Sequence, residues 1–73
     1  MKGVGMSEGW KGRLGAEAYE LRKRIEKLER FFVAPEFEEL YPDARNDLRE
    51  QLTHMKAYHT VLCRRLNRLT TNA

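Results

Sequence analysis

"LREQLTHMKAYHTVLCRRLNRL", residues 48–69, carries the clearest periodicity in the chain. Its large apolar residues are Leu48, Leu52, Met55, Leu62, Leu66 and Leu69, and His59 takes the remaining place in the series. Steps that alternate between four and three residues keep one face of an α-helix apolar, and they are the seam of a helix that packs on another helix. A strand would need a period of two. The stretch therefore predicts a long amphipathic helix with a histidine in its seam.

A matching stripe lies upstream, at Leu14, Ala18, Leu21, Ile25, Leu28 and Phe32. Good helix formers fill the positions between, and Glu20–Arg24 and Glu26–Arg30 are favourably ordered i,i+4 pairs. Pro35 and Pro42 break the pattern, because each disfavours the helical conformation in the residue before it. The segment between them has a proline start and early acids, which suit a short helical turn. Phe37 and Leu40 can fold back there to plug a core. Asp43 is a good N-cap for the second long helix. The expected organisation is a flexible arm over 1–7, one helical-hairpin domain over 8–69 and a frayed tail over 70–73. Within the domain, helix 1 spans about 8–33, a tip turn 35–41 and helix 2 about 44–69. The fold class is all-α, an antiparallel two-helix hairpin. Pairing around the turn places Ile25 near Leu52, Leu21 near Met55 and Leu14 near Leu62. Ala18 falls near His59, where its small side chain leaves room for an imidazole. A neutral, packed seam histidine is the simplest reading of that position.

At 73 residues the chain makes one domain with a thin core. A single cysteine, Cys63, excludes an intrachain disulfide and fits a reducing compartment. No apolar run suits a membrane span or a signal peptide, so the expectation is a soluble, cytoplasmic protein with no membrane partner. Tyr19, Phe31, Tyr58 and Val61 widen the apolar stripe beyond a strict seam. One hairpin cannot cover that width, which predicts a homo-oligomer, at least a dimer forming a four-helix bundle.

The net charge of +3 is unevenly spread. Residues 34–50 carry a net −4, and residues 1–24 with 56–73 carry +7. A fold at the middle gathers the basic ends and leaves an acidic tip.

The segments "LRKRIEKLERF", "PEFEEL" and "LREQLTHMKAYHTVLCRRL" carry a further signal. Their pattern runs Arg24, Ile25, Lys27, Leu28, Phe31, then Phe37 and Leu40, then Leu48, Gln51, Leu52, Met55, Tyr58, Leu62 and Arg65. In that order it resembles a family of short helical-hairpin proteins found across crAss-like and other tailed phages, over residues 14–66. The resemblance implies a phage accessory protein in the cytoplasm of an infected bacterial host, with no catalytic residues. His59 and the glycine-rich arm lie outside the pattern.

Little in the residues suggests chemistry. His54, His59 and Cys63 are the soft metal ligands. His59 and Cys63 are one turn apart but His54 points away, and a structural zinc needs four ligands. Only a site shared across a dimer interface would bring enough. No metal and no cofactor are expected. No Ser/His/Asp or Cys/His/Asn set converges, so no enzyme is expected either. The basic ends are more informative. Trp10, Lys11, Arg13, Tyr19, Arg22 and Lys23 on helix 1 come near Tyr58, Arg64, Arg65 and Arg68 on helix 2. Arginines fork onto phosphates and aromatic rings stack on bases, so this set reads as a candidate site for a cyclic nucleotide or other phosphate-bearing signal. The competing reading is an ordinary solvated surface. Two alternatives stand beside sequestration of a nucleotide immune signal. One is an inhibitor that docks on a host protein through the tip, with Phe37, Glu38 and Tyr41 as its contacts. The other is a basic nucleic-acid-associated protein, which the acidic tip disfavours.

Overall fold

The computed structural model describes the backbone of residues 2–71 and the side chains of residues 9–69. Three helices succeed one another along the chain: α1 (Lys2–Phe32), α2 (Pro35–Glu38) and α3 (Pro42–Thr71). α1 and α3 pack along each other and α2 closes one end. The result is a rod of 54 × 18 × 17 Å.

The expected seams make the core. Leu14, Ala18, Leu21 and Ile25 of α1 are buried, and Leu62 of α3 is wholly inaccessible. Leu52, Met55, Leu66 and Leu69 pack against this cluster but stay partly exposed. α1 thus buries its stripe more completely than α3 does. His59 is half-buried, as its place in the seam requires.

The element ends differ from the sequence expectation, each for a local reason. α3 begins at Pro42 instead of residue 44. Proline suits a first helical position because the amide it lacks would have no partner there. The carbonyl of Tyr41 accepts from Arg45 N–H at 3.0 Å, which closes the first turn one residue ahead of the proline. Asp43 lies inside that turn, where its charge complements the helix dipole, and does not serve as the N-cap. α1 reaches back to Lys2, through the stretch expected to be an arm. Its glycines are all in ordinary negative-φ backbone. Each costs about 1 kcal/mol relative to alanine, which is why sequence propensity starts the helix later. At the other end α3 continues to Thr71, and residues 72 and 73 of the expected tail lie outside the described residues.

The tip is a small closed unit. Phe37 is buried, with its ring edge-on to Phe31 at 5.9 Å and tilted against Phe32 at 4.9 Å. The Arg49 guanidinium lies 5.4 Å from the Phe37 ring centre. Arg45 Nη1 donates to the carbonyls of Glu38 at 3.1 Å and Leu40 at 2.8 Å. That side chain satisfies carbonyls that the end of α2 leaves without helical partners.

Leu62 is the point on which both seams converge. Leu62→Ala should cost about 2–5 kcal/mol, a large share of the stability of so small a domain. Urea unfolding followed by circular dichroism measures it. A loss below about 1 kcal/mol would show that the core lies elsewhere.

Candidate functional site

Two antiparallel helices leave a groove on each flank of their seam. The first groove, of about 350 Å³, is lined by Arg13, Ala16, Glu17, Glu20, Leu21 and Arg24 of α1 and by Tyr58 of α3. Residues 13, 17, 20 and 24 are spaced by four, three and four positions, so they form a single stripe beside the buried seam. Leu21 turns from that seam to the floor of the groove. The Tyr58 hydroxyl donates to the Glu17 carboxylate and so ties the two helices together. Arg13 and Arg24 make no ion pair among the described residues. Gly9 makes room for one of them: a Cβ there would stand 3.3 Å from Arg13 Nη1, close enough to push the guanidinium aside.

Beyond Arg24 the same flank becomes strongly basic. Glu20, Lys23, Arg24, Lys27 and Arg30, all from α1, line an adjoining shallow groove of about 320 Å³. Four cations face one carboxylate there, so anions are drawn toward the Arg24 end.

The opposite flank has a groove of about 400 Å³ lined by Arg22, Ile25, Glu26, Glu29, Lys56, His59 and Thr60. It is the larger of the grooves, but its cations are already engaged. Arg22 Nε lies 3.2 Å from Glu26 and Lys56 Nζ lies 2.8 Å from Glu29. An incoming phosphate would have to compete with those carboxylates. Cys63 Sγ is 3.7 Å from His59 Nδ1 and 3.8 Å from Nε2, nearly equidistant from both ring nitrogens. That is side-by-side packing along one helix, not a directed bond. His54 lies 3.7 Å from Glu50 instead of near His59. Among the described residues no group of three or more His, Cys, Asp or Glu could hold a metal ion.

These positions divide the set of residues expected at the basic ends. Arg13 and Tyr58 share the first groove. Arg65 lies seven residues after Tyr58 and is therefore on the same flank. Arg22 is on the other flank, held by Glu26. Tyr19 is exposed away from both, with the Lys23 ammonium 5.2 Å from its ring centre. Trp10, Lys11, Arg64 and Arg68 are exposed and line none of these three grooves. Arg24, Lys27 and Arg30 are additions to the expected set. Arg24 and Arg30 read as solvated surface because each is spaced i,i+4 from an acid, and the phase of Arg24 with Arg13 is the signal that could have found it. At the tip, Glu38 and Tyr41 are exposed, but Phe37 is withdrawn into the plug, so the outward apolar side chains there are Val33 and Tyr41.

The Sequestin family model matches residues 8–68, most of the chain and all of the stretch that carries the phage-protein resemblance. The chain belongs to the Sequestin family. The family's name suggests a binding or sequestering function. No curated protein and no solved structure matches. The grooves are consistent with a binder: cations, carboxylates and an aromatic ring line them. The thiol–imidazole pair of Cys63 and His59 lies along a single helix, outside the cationic flank. No helix among the described residues is long and apolar enough to cross a membrane.

Proposed function

We propose that this chain is a phage counter-defence protein that sequesters an anionic nucleotide signal of the host's immunity, without turning it over. The observation that carries the reading is the convergence of Arg13, Arg24 and Tyr58, from both helices, on one groove that opens onto the basic shelf of α1. Unpaired guanidiniums bind phosphate with charge-assisted bonds, each contributing about 1.5–3 kcal/mol. Tyr58, 45% exposed, offers a ring face to a base. The Sequestin family name supports binding and leaves the ligand open. The resemblance to proteins of crAss-like and other tailed phages supports a place in the cytoplasm of an infected cell. Acids interleaved with the bases, and the acidic tip, speak against a protein that tracks long nucleic acid.

The proposed active form is a homo-oligomer. A compact monomer of 8.6 kDa exposes roughly 4,700 Å², whereas this chain exposes 5945 Å². The excess, about 1,200 Å², exceeds the ~800 Å² that each partner buries in a standard interface. Trp10, Tyr58 and Val61 are among the exposed large apolar residues that a second copy would cover. An open groove would also leave a nucleotide mostly in water, whereas ligand sites enclose most of their ligand. A second reading rests on the tip, where Val33 and Tyr41 are 86% and 84% exposed beside the acids of residues 34–50. That surface suits an inhibitor docking on a basic patch of a host protein.

A thermal-shift screen of cyclic di- and trinucleotides and ADP-ribose-type signals tests the binding. Ligand at 100 times its Kd should stabilise the fold by about 2.7 kcal/mol. Arg13→Glu should abolish the shift and leave the helical content intact. If none of these nucleotides moves the melting temperature, and a host protein captured from lysate is lost on Tyr41→Ala, the inhibitor reading replaces this one. Light scattering coupled to gel filtration tests the assembly. It should return at least twice the 8.6 kDa chain mass, and a monomer at micromolar concentration would contradict the oligomer.

A further inference from the structure

The carboxylates of the groove beside Tyr58 are unexplained by phosphate binding. Glu17 and Glu20 stand on the same stripe as Arg13 and Arg24, in the middle of the groove. A site built for phosphate alone would avoid them, because like charges repel an anionic ligand. They are also not spent on the neighbouring arginines. Arg13 and Arg24 are each four residues from one of them, yet no ion pair joins these residues among those described. Glu17 instead accepts a hydroxyl, that of Tyr58, across the helix pair. The groove already uses one of its carboxylates to hold an O–H donor.

We propose that Glu17 and Glu20 are acceptors for the sugar hydroxyls of the ligand, so that the groove selects ribonucleotides over their 2′-deoxy counterparts. This inference rests on the groove being the nucleotide site. A nucleotide presents three kinds of group, and the groove offers a partner for each. Its phosphates go toward Arg24 and the basic shelf beyond it. Its base lies against the Tyr58 ring. The ribose between them meets Glu17 and Glu20, which as carboxylates are purely acceptors and can each take a sugar hydroxyl. Discrimination arises from the bond that the deoxy ligand leaves unmade. Without its hydroxyl, a carboxylate sits desolvated and unpaired beside the ligand, and sites built to hydrogen-bond a hydroxyl reject the analogue that lacks it. The same carboxylates lower the net charge of the groove to zero over Arg13, Glu17, Glu20 and Arg24. That disfavours densely charged polyphosphates and nucleic-acid strands and favours ligands with few phosphates and free hydroxyls.

The test is calorimetric titration of the full chain with cyclic di-AMP and ADP-ribose, each beside its 2′-deoxy counterpart. The expected result is at least about tenfold tighter binding of the ribo form of whichever probe binds. In the Glu17→Gln/Glu20→Gln variant the ribo form should weaken while the deoxy form holds or tightens, so the ratio falls toward one. Both positions are exposed, and circular dichroism checks that the helices persist. Equal affinity of ribo and deoxy forms in the unmodified protein overturns the sugar role and leaves the nucleotide site standing. So does an undiminished ratio in the variant. Binding of neither form, to protein that circular dichroism shows folded, removes the nucleotide site and this inference together.

Discussion

The apolar seam between α1 and α3 is the interaction on which the rest of the molecule depends. Leu62 is fully enclosed by it, and Leu14, Ala18, Leu21 and Ile25 are the other buried residues of that cluster. No disulfide or buried polar network reinforces the seam among the described residues. The cross-helix polar links, Lys56–Glu29 and Tyr58–Glu17, lie on the exposed flanks, where such contacts contribute less than about 1 kcal/mol each. Hydrophobic packing therefore fixes the relative placement of the two helices, and the flanking side chains inherit their geometry from it. The groove beside Tyr58 is a by-product of that packing. Arg13, Glu17, Glu20 and Arg24 are brought opposite Tyr58 because Leu14, Leu21 and Leu62 are in register.

The thinness of the seam has a consequence for assembly. α3 leaves Leu52, Met55, Leu66 and Leu69 only partly covered, and the rod exposes more surface than a compact chain of its mass. A second copy would serve stability and ligand enclosure at once, since the residues that flank the seam also flank the groove. Association and ligand capture are then thermodynamically linked, and each should strengthen the other.

The fold is legible in the sequence because period and punctuation agree. The 4–3 spacing of Leu48 to Leu69 and of Leu14 to Phe32 names the core residues, and Pro35 and Pro42 name the turn. Phe37 reads correctly as a plug, and the same burial leaves its ring little surface to offer a partner. The site is only half legible. Gathering the bases by chain position points to the open end of the hairpin, with Trp10, Arg64 and Arg68. Helical phase matters more than chain position on a rod of this kind. It sends Arg22 and Tyr19 away from Tyr58, and it brings in Arg24, whose i,i+4 spacing from Glu20 makes it look like ordinary surface. Helix starts are hidden for a related reason. Propensity counts each glycine near the N-terminus as a cost, and it has no term for a helix that extends from a packed stretch through them.

Sequestration, as proposed, means that the ligand is held and not altered. Equilibrium dialysis against cyclic di- and trinucleotides and ADP-ribose, with denaturation of the protein and mass spectrometry of the released ligand, measures this directly. At least one nucleotide should be depleted from solution in proportion to the protein present, to a fixed stoichiometry, and be recovered with its mass unchanged. Recovery of a cleaved or modified nucleotide, or no depletion of any of them by folded protein, would overturn sequestration.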